Sequence, residues 1–203
     1  SGPLSFLRMY SAATEEVKQG GRRRGANMAV LRIDHPDVLE FISCKDSENT
    51  VLVNFNISVG ITEEFLDAVR NGTDWDFINP RTKEVTGSMP AQELWDAIAQ
   101  NAWRMADPGV LFLDEANKYN PTPDIGRLEA TNPCGESWLL PNEACTLGSI
   151  NLAKFAEMSG IMWDNLKLTV RQAVRFLDNT IDASSYATED IKLMHQGNRK
   201  IGL

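Results

Sequence analysis

Cysteine, histidine and basic charge are all scarce in this chain. Three cysteines, Cys44, Cys134 and Cys145, occur in 203 residues. That count is odd and too small for a disulfide scaffold. A reducing cytoplasm is the expected location, with any disulfide catalytic rather than structural. The two histidines, His35 and His195, fall into no Cys/His or His/carboxylate ligand spacing, which argues against a structural zinc site and leaves both as structural or surface residues. The net charge of −8 lacks the broad basic excess of a general nucleic-acid binder. No apolar run approaches the ~18 residues of a membrane span. The first residues show no basic-then-apolar signal layout. There is no phosphate-binding P-loop and no Gly-x-Gly-x-x-Gly after a strand, so phosphate must be gripped by other means. Low-complexity tracts and internal repeats are also missing.

What remains is an ordinary globular composition, 42% hydrophobic and 24% charged, of a length that suits one domain or a large piece of one. Leu4, Leu7, Tyr10, Ser11, Thr14 and Val17 or Lys18 form a helical stripe that stops at Gly20-Gly21. Ala29–Ile33 is β-like, and Pro36 opens a short helix through Phe41. Val51–Val59, rich in β-branched residues, reads as a buried strand. Thr62 caps a helix that Asn71-Gly72 ends. Asp74–Ser88 reads as a hairpin excursion. Pro90 starts a helix carrying Leu94, Ile98, Trp103 and Met105, and Val110–Leu113 is a short strand. Residues 117–130 read as loop and Gly148–Leu152 as a strand. A long helix follows, with Asp164 as N-cap and Leu166, Val170, Ala173, Val174, Leu177 and Ile181 on one face. A last helix starts near Thr188. Alternating strands and helices give an α/β class with mostly parallel pairing.

The densest chemistry lies between two of the cysteines. Asn132-Pro133-Cys134-Gly135-Glu136 is followed by Trp138-Leu139-Leu140 and then by Asn142-Glu143-Ala144-Cys145-Thr146-Leu147-Gly148-Ser149-Ile150-Asn151-Leu152. An amide, a thiol and a carboxylate alternate at positions 132, 134 and 136. In an extended or looped backbone such positions point the same way, so a redox-capable sulfur, a hydrogen-bonding amide and a potential base can meet one small molecule. Pro133 and Gly135 disfavour a helix here. A lone cysteine is usually a small buried hydrophobe, but this Pro/Gly loop is a poor place for a core filler. Glu136 is otherwise a surface carboxylate and Asn132 a turn residue. Near the start, Arg22-Arg23-Arg24 is either a solvated basic turn or, set between glycines and followed by Gly25, Ala26, Asn27 and Met28, a loop whose guanidinium and backbone N–H groups suit phosphate and base contacts. Cys44 reads as structural.

The cysteine-bearing stretch resembles the active-site loop of the ribonucleotide reductase catalytic chain, and is most similar to the adenosylcobalamin-dependent class. Gly20–Met28 resembles the family's specificity loop between effector and substrate. Asn54–Val59 and Gly109–Asp114 resemble its barrel strands in the same order. The resemblance runs from about Ser1 to Leu203. It implies a ten-stranded α/β barrel with the active-site cysteine on a central loop, of which this chain is a central portion: helix at 1–19, specificity loop at 20–28, strand–helix units at 29–130, cysteine loop at 131–145, and strand and helices at 146–203. With four or five strands the chain is not expected to close such a barrel alone.

By that resemblance Cys134 carries a thiyl radical that abstracts the ribose 3′ hydrogen, a role suited to a soft sulfur with a comparatively weak S–H bond. Glu136 is implied as general base on the 3′-hydroxyl, helped if partial burial raises its pKa. Asn132 is implied to orient the ribose hydroxyls. Cys145 is implied as one of two thiols oxidised to a disulfide as the 2′-hydroxyl leaves; its partner in the family lies upstream of the specificity loop, beyond this chain. Arg22–Met28 is implied to respond to a deoxynucleotide or ATP effector and to select the substrate base. The implied activity is reduction of ribonucleotides to deoxyribonucleotides, with adenosylcobalamin as cofactor, a thioredoxin-like or other dithiol reductant, and a homodimer or an assembly with the rest of the catalytic chain. No direct nucleic-acid or membrane contact is expected. Two alternatives stay open. The radical is supplied by a separate metal-containing subunit, or the isolated polypeptide is inactive and only binds nucleotide or assembles with complementary chains.

Overall fold

The computed structural model describes residues 2–19, 23–46 and 52–203. Gly20, Gly21 and Arg22, and the stretch 47–51, lie outside the described residues. The chain divides into two units, Ser1–Trp138 and Leu139–Leu203.

In the first unit, helix α1 (Pro3–Glu16) begins with proline in its first turn, where the missing N–H costs nothing. Two-residue strands β1 (Lys18–Gln19) and β2 (Arg23–Arg24) pair antiparallel. Then come β3 (Asn27–Arg32), α2 (Val38–Ser43), β4 (Phe55–Ile61), α3 (Glu63–Asn71), the antiparallel hairpin β5 (Asp74–Ile78) and β6 (Val85–Pro90), α4 (Ala91–Met105), β7 (Gly109–Phe112), α5 (Leu113–Lys118) and β8 (Ala130–Thr131). The two-residue strand β9 (Trp138–Leu139) falls at the boundary. Strands β3, β4 and β7 form one parallel sheet with β4 in the centre. The α/β class is as expected. The sheet has three strands, and no closed barrel is present among the described residues.

Strand β4 organises the core. Phe55, Ile57, Val59 and Ile61 are buried on one face and Ser58 and Gly60 on the other, as a parallel strand covered on both faces requires. Phe41, Phe65, Leu94 and Ile98 from the helices pack with them. Phe65 meets Trp75 edge-on at 5.3 Å, a geometry worth about 0.5–1.5 kcal/mol beyond area burial. Helix α3 follows its sequence signals: the Thr62 side chain accepts from the Phe65 N–H, and Gly72 closes the helix at φ 66°. Burial pushes the half-buried Cys44 thiol up despite the neighbouring Lys45, and its side chain packs against the core, in keeping with a structural role.

Some boundaries differ from the sequence reading. The central strand starts at Phe55, because the Phe55 N–H bonds back to the Leu52 carbonyl in a turn; Val51 lies outside the described residues. Helix α4 buries Leu94 and Ile98 but leaves Trp103 86% exposed, so the apolar stripe ends early. Leu113 opens helix α5 rather than closing a strand.

In the second unit, β10 (Thr146–Leu147) pairs parallel with β13 (Ile201–Gly202). Between them lie a 3-10 turn (Leu152–Phe155), the small hairpin β11 (Ala156–Glu157) and β12 (Gly160–Ile161), and helices α6 (Trp163–Ala183) and α7 (Glu189–Asn198). The strand expected at 148–152 is therefore the shorter Thr146–Leu147. Met162, not Asp164, is the N-cap of α6; Asp164 sits in the first turn, where its carboxylate suits the helix dipole. Leu177 and Ile181 are buried, while Val170 and Val174 remain exposed within this chain. The last helix begins near Thr188 as expected, and the Thr188 side chain caps it. Arg199 ends that helix in the left-handed region and joins it to α6 through Asp178 and Asp182.

Candidate active site

The cysteine loop of the first unit is a tight turn. The Gly135 N–H donates to the Asn132 carbonyl at 3.0 Å. Asn at the first corner, Pro at the second and Gly at the fourth are the preferences of a type I turn. Gly135 has φ 81°, which a side chain would strain. The turn therefore replaces the simple extended alternation, and it changes how the three groups meet. Cys134 stands exposed at the tip. Asn132 and Glu136 are folded together: the Asn132 amide donates to Glu136 Oε1 at 2.6 Å, and Asn132 Oδ1 accepts from the Ser137 N–H at 3.1 Å. The Asn132 N–H bonds to the Ser137 carbonyl at 3.2 Å and closes the loop. Glu136 is exposed rather than partly buried.

A neighbouring strand holds this turn. Asn56 is the exposed position of the otherwise buried β4, and its amide donates to the Pro133 carbonyl at 2.6 Å. Sequence reasoning placed Asn56 only in a barrel-like strand; its one signal is a polar side chain interrupting an apolar run.

The exit of the Arg-rich segment is anchored nearby in the same unit. Asn27 and Met28 begin β3, and Asn27 donates to Thr14 Oγ1 at 2.8 Å. The Asn27 N–H donates to the Asn54 carbonyl at 2.7 Å, and buried Asn54 donates to Glu15 Oε2 at 2.8 Å. A Cβ on Gly25 would lie 2.5 Å from Thr14 Cγ2, so glycine permits this close approach of the segment to α1. Ala26 is exposed. The backbones of Arg23 and Arg24 lie in β2, and Arg22 lies outside the described residues. At the strand's entrance, the ammonium of Lys45 donates to the Phe55 carbonyl and pairs with Asp107 at 2.7 Å.

Cys145 belongs to the second unit. It is half-buried and immediately precedes β10. A second proline turn leads into it: the Glu143 N–H bonds to the Leu140 carbonyl at 3.1 Å, with Pro141 and Asn142 at the corners and Asn142 at φ 61°, the residue choice of a type II turn. Glu143, left without a role by sequence reasoning, is the hub of this region. Its side chain is 1% exposed and accepts from the Leu140 N–H at 2.7 Å, Lys200 at 2.6 Å and Asn198 at 2.9 Å. Burial pushes the carboxyl up, but the three hydrogen bonds and the Lys200 charge outweigh it and hold the pKa below the usual range. His195, buried and structural, lies 3.2 Å from Thr146 Oγ1 and edge-on to Tyr186.

No group of three or more His, Cys, Asp or Glu that could hold a metal ion occurs among the described residues. No helix among them is long and apolar enough to cross a membrane. A cavity of about 430 Å³ at the carboxyl end of β3 is lined by residues including Arg32, Asp34, Lys83, Arg127 and Glu129, and includes none of Asn132, Cys134 and Glu136.

Comparison with known proteins accounts for the whole chain. The family model described as "Ribonucleotide reductase, barrel domain" matches residues 1–203. A vitamin B12-dependent ribonucleoside-diphosphate reductase of Thermoplasma acidophilum is 52% identical over 204 residues, covering 100% of this chain and 27% of that protein. A protein of the same description from Mycobacterium tuberculosis is 49% identical, with 100% of this chain and 29% of its own length covered. A vitamin B12-dependent ribonucleotide reductase of Rhodopirellula baltica is 35% identical, with 100% and 22% covered. The chain thus spans about a quarter of the length of these relatives. It belongs to the ribonucleotide reductase family, within the barrel domain.

Proposed function

We propose that this chain is the radical-handling portion of an adenosylcobalamin-dependent ribonucleotide reductase. The observation that carries the reading is the turn 132–136: an exposed thiol at its tip beside an amide and a carboxylate already in contact. A ribose presents neighbouring hydroxyls to such a pair. Glu136 accepts the proton of the 3′-hydroxyl, Asn132 donates to and orients the hydroxyls, and the Cys134 sulfur, as a thiyl, takes the 3′ hydrogen and later returns it. The 2′-hydroxyl leaves as water. The two electrons come from a pair of thiols that become a disulfide, Cys145 being one of them.

The exposed Cys134 fits a radical source that approaches from outside the turn. Adenosylcobalamin, when bound, supplies that radical through its weak cobalt–carbon bond. This chain's part is to present the thiol in a fixed geometry, which is where proximity contributes to rate.

The segment 22–28 selects the substrate base in response to a deoxynucleotide or ATP effector. A dithiol protein of thioredoxin type renews the thiols, the chain works in a homodimer, and the location is cytoplasmic. The vitamin B12 dependence in the relatives' names supports cobalamin over a separate metal-containing subunit. Turnover by the full-length protein with and without added adenosylcobalamin tests this. Deoxynucleotide formed only with cobalamin is the expected result; formation without it, on adding a metal-containing subunit, overturns the cofactor assignment.

A further inference from the structure

Asn56 has no part in the chemistry above, yet it touches the turn that carries Cys134. Resting on the proposed role of Cys134, we infer that Asn56 is a positioning residue. It fixes the peptide plane before Cys134 and ties that turn to the strand that follows the Arg-rich segment.

The turn's own hydrogen bond uses the Asn132 carbonyl. The next carbonyl, that of Pro133, is taken by the Asn56 amide at 2.6 Å. That carbonyl belongs to the same planar unit as the Cys134 N–H. Holding it fixes the direction from which the Cys134 Cα leaves the turn, and with it the sulfur. The anchor is rigid because Asn56 sits in the central strand of the sheet, between buried Phe55 and buried Ile57.

The start of β4 also carries the second connection. Asn27 is in register with Phe55 and Met28 with Asn56, and the Asn27 N–H bonds to the Asn54 carbonyl. A displacement where segment 22–28 enters β3 is therefore transmitted by backbone pairing to the residue that holds Pro133. Three consecutive positions, Asn54 just before β4 and Phe55 and Asn56 at its start, serve both segments. Asn56 acts through the turn and not on substrate, so its loss should lower kcat and leave KM nearly unchanged.

The test uses the full-length protein. Asn56→Asp is isosteric but sets a carboxylate against the Pro133 carbonyl. Asn56→Ser shortens the arm without adding charge and serves if the carboxylate disturbs folding. Asn56→Gln keeps the donor. Hydrogen exchange at Gly135, whose N–H closes the turn, should quicken at least ~10-fold in the Asp or Ser variant, while the β4 amides keep their protection. A misplacement of about 1 Å can cost ~100-fold in rate, so kcat should fall roughly 10- to 100-fold with KM within about threefold, and Asn56→Gln should recover most of it. Unchanged exchange at Gly135, or turnover within about twofold of the parent, overturns the inference. Loss of protection throughout β4 with normal turnover per folded molecule also overturns it, since Asn56 is then only structural. Failure of the underlying reading shows elsewhere: Cys134→Ser keeps its activity whatever Asn56 does.

Discussion

Asn132 and Glu136 are joined side chain to side chain at 2.6 Å across the turn that carries Cys134. The contact has a direct consequence. A substrate hydroxyl that binds here must exchange with an existing amide–carboxylate bond rather than enter empty space. Charge-assisted hydrogen bonds of this kind are the stronger ones. Replacing Glu136 by Gln removes the base and leaves the shape. We expect kcat for reduction to drop at least ~100-fold, in the range usual for loss of a general base, with substrate KM within a few fold. Steady-state kinetics on the full-length protein checks this; near-parental kcat would take Glu136 out of the proton step.

Cys145→Ser should separate the radical step from the two-electron step. Cofactor cleavage persists, but clean multiple turnover with a dithiol reductant stops. If multiple turnovers match the parent, Cys145 is not a redox thiol.

The Arg22-Arg23-Arg24 segment should act on choice of base. Changing all three to Ala should alter which base is reduced under each effector more than it alters the maximal rate. Couplings between effector and substrate sites typically change affinity about 5- to 150-fold. A matrix of substrates against effectors reads the pattern; uniformly lower activity with an unchanged preference would remove the specificity role.

Glu143 gives a pH dependence with a defined sign. Its carboxyl is held below the ordinary value in the folded chain, chiefly by Lys200, the Leu140 N–H and Asn198 acting against burial. The stabilisation is therefore present above the unfolded pKa of about 4.3 and is lost as pH falls through the lower folded value. Acid titration of stability should show a loss beginning below about pH 4.3 that Glu143→Gln flattens. At neutral pH that variant should be less stable by about 1.5–3 kcal/mol, the scale of hydrogen bonds to a charged group. Urea melts from pH 3 to 7 measure both; an unchanged pH profile in the variant would show that Glu143 does not carry the effect.

Legibility in the sequence followed locality. The Thr62 cap, the Gly72 stop, a helix start near Thr188 and a hairpin over Asp74–Ser88 are decided by neighbouring residues, and the structure has them, with the hairpin running on to Pro90. The Pro/Gly turn at 132–135 is equally local, and the alternation of Asn132, Cys134 and Glu136 was visible as chemistry. What the string could not display were long-range contacts. Asn56 meets Pro133 and Glu143 meets Lys200 across long stretches of chain, and no periodicity encodes such pairs. The α4 stripe shows the opposite failure. Trp103 has the right spacing for the core but is exposed, because spacing states which residues share a face, not where the neighbouring element stops.

The central claim is that the Cys134 sulfur carries the hydrogen-atom transfer, and Cys134→Ser tests it most directly. Serine is nearly isosteric, and the thiol is exposed at a turn tip, so the fold should be unchanged and the thermal midpoint should move by no more than a few degrees. The O–H bond is too strong to yield a useful radical. Deoxynucleotide formation by the full-length protein carrying Cys134→Ser should therefore fall to background, with substrate binding retained. Substantial residual turnover in that variant would contradict the account.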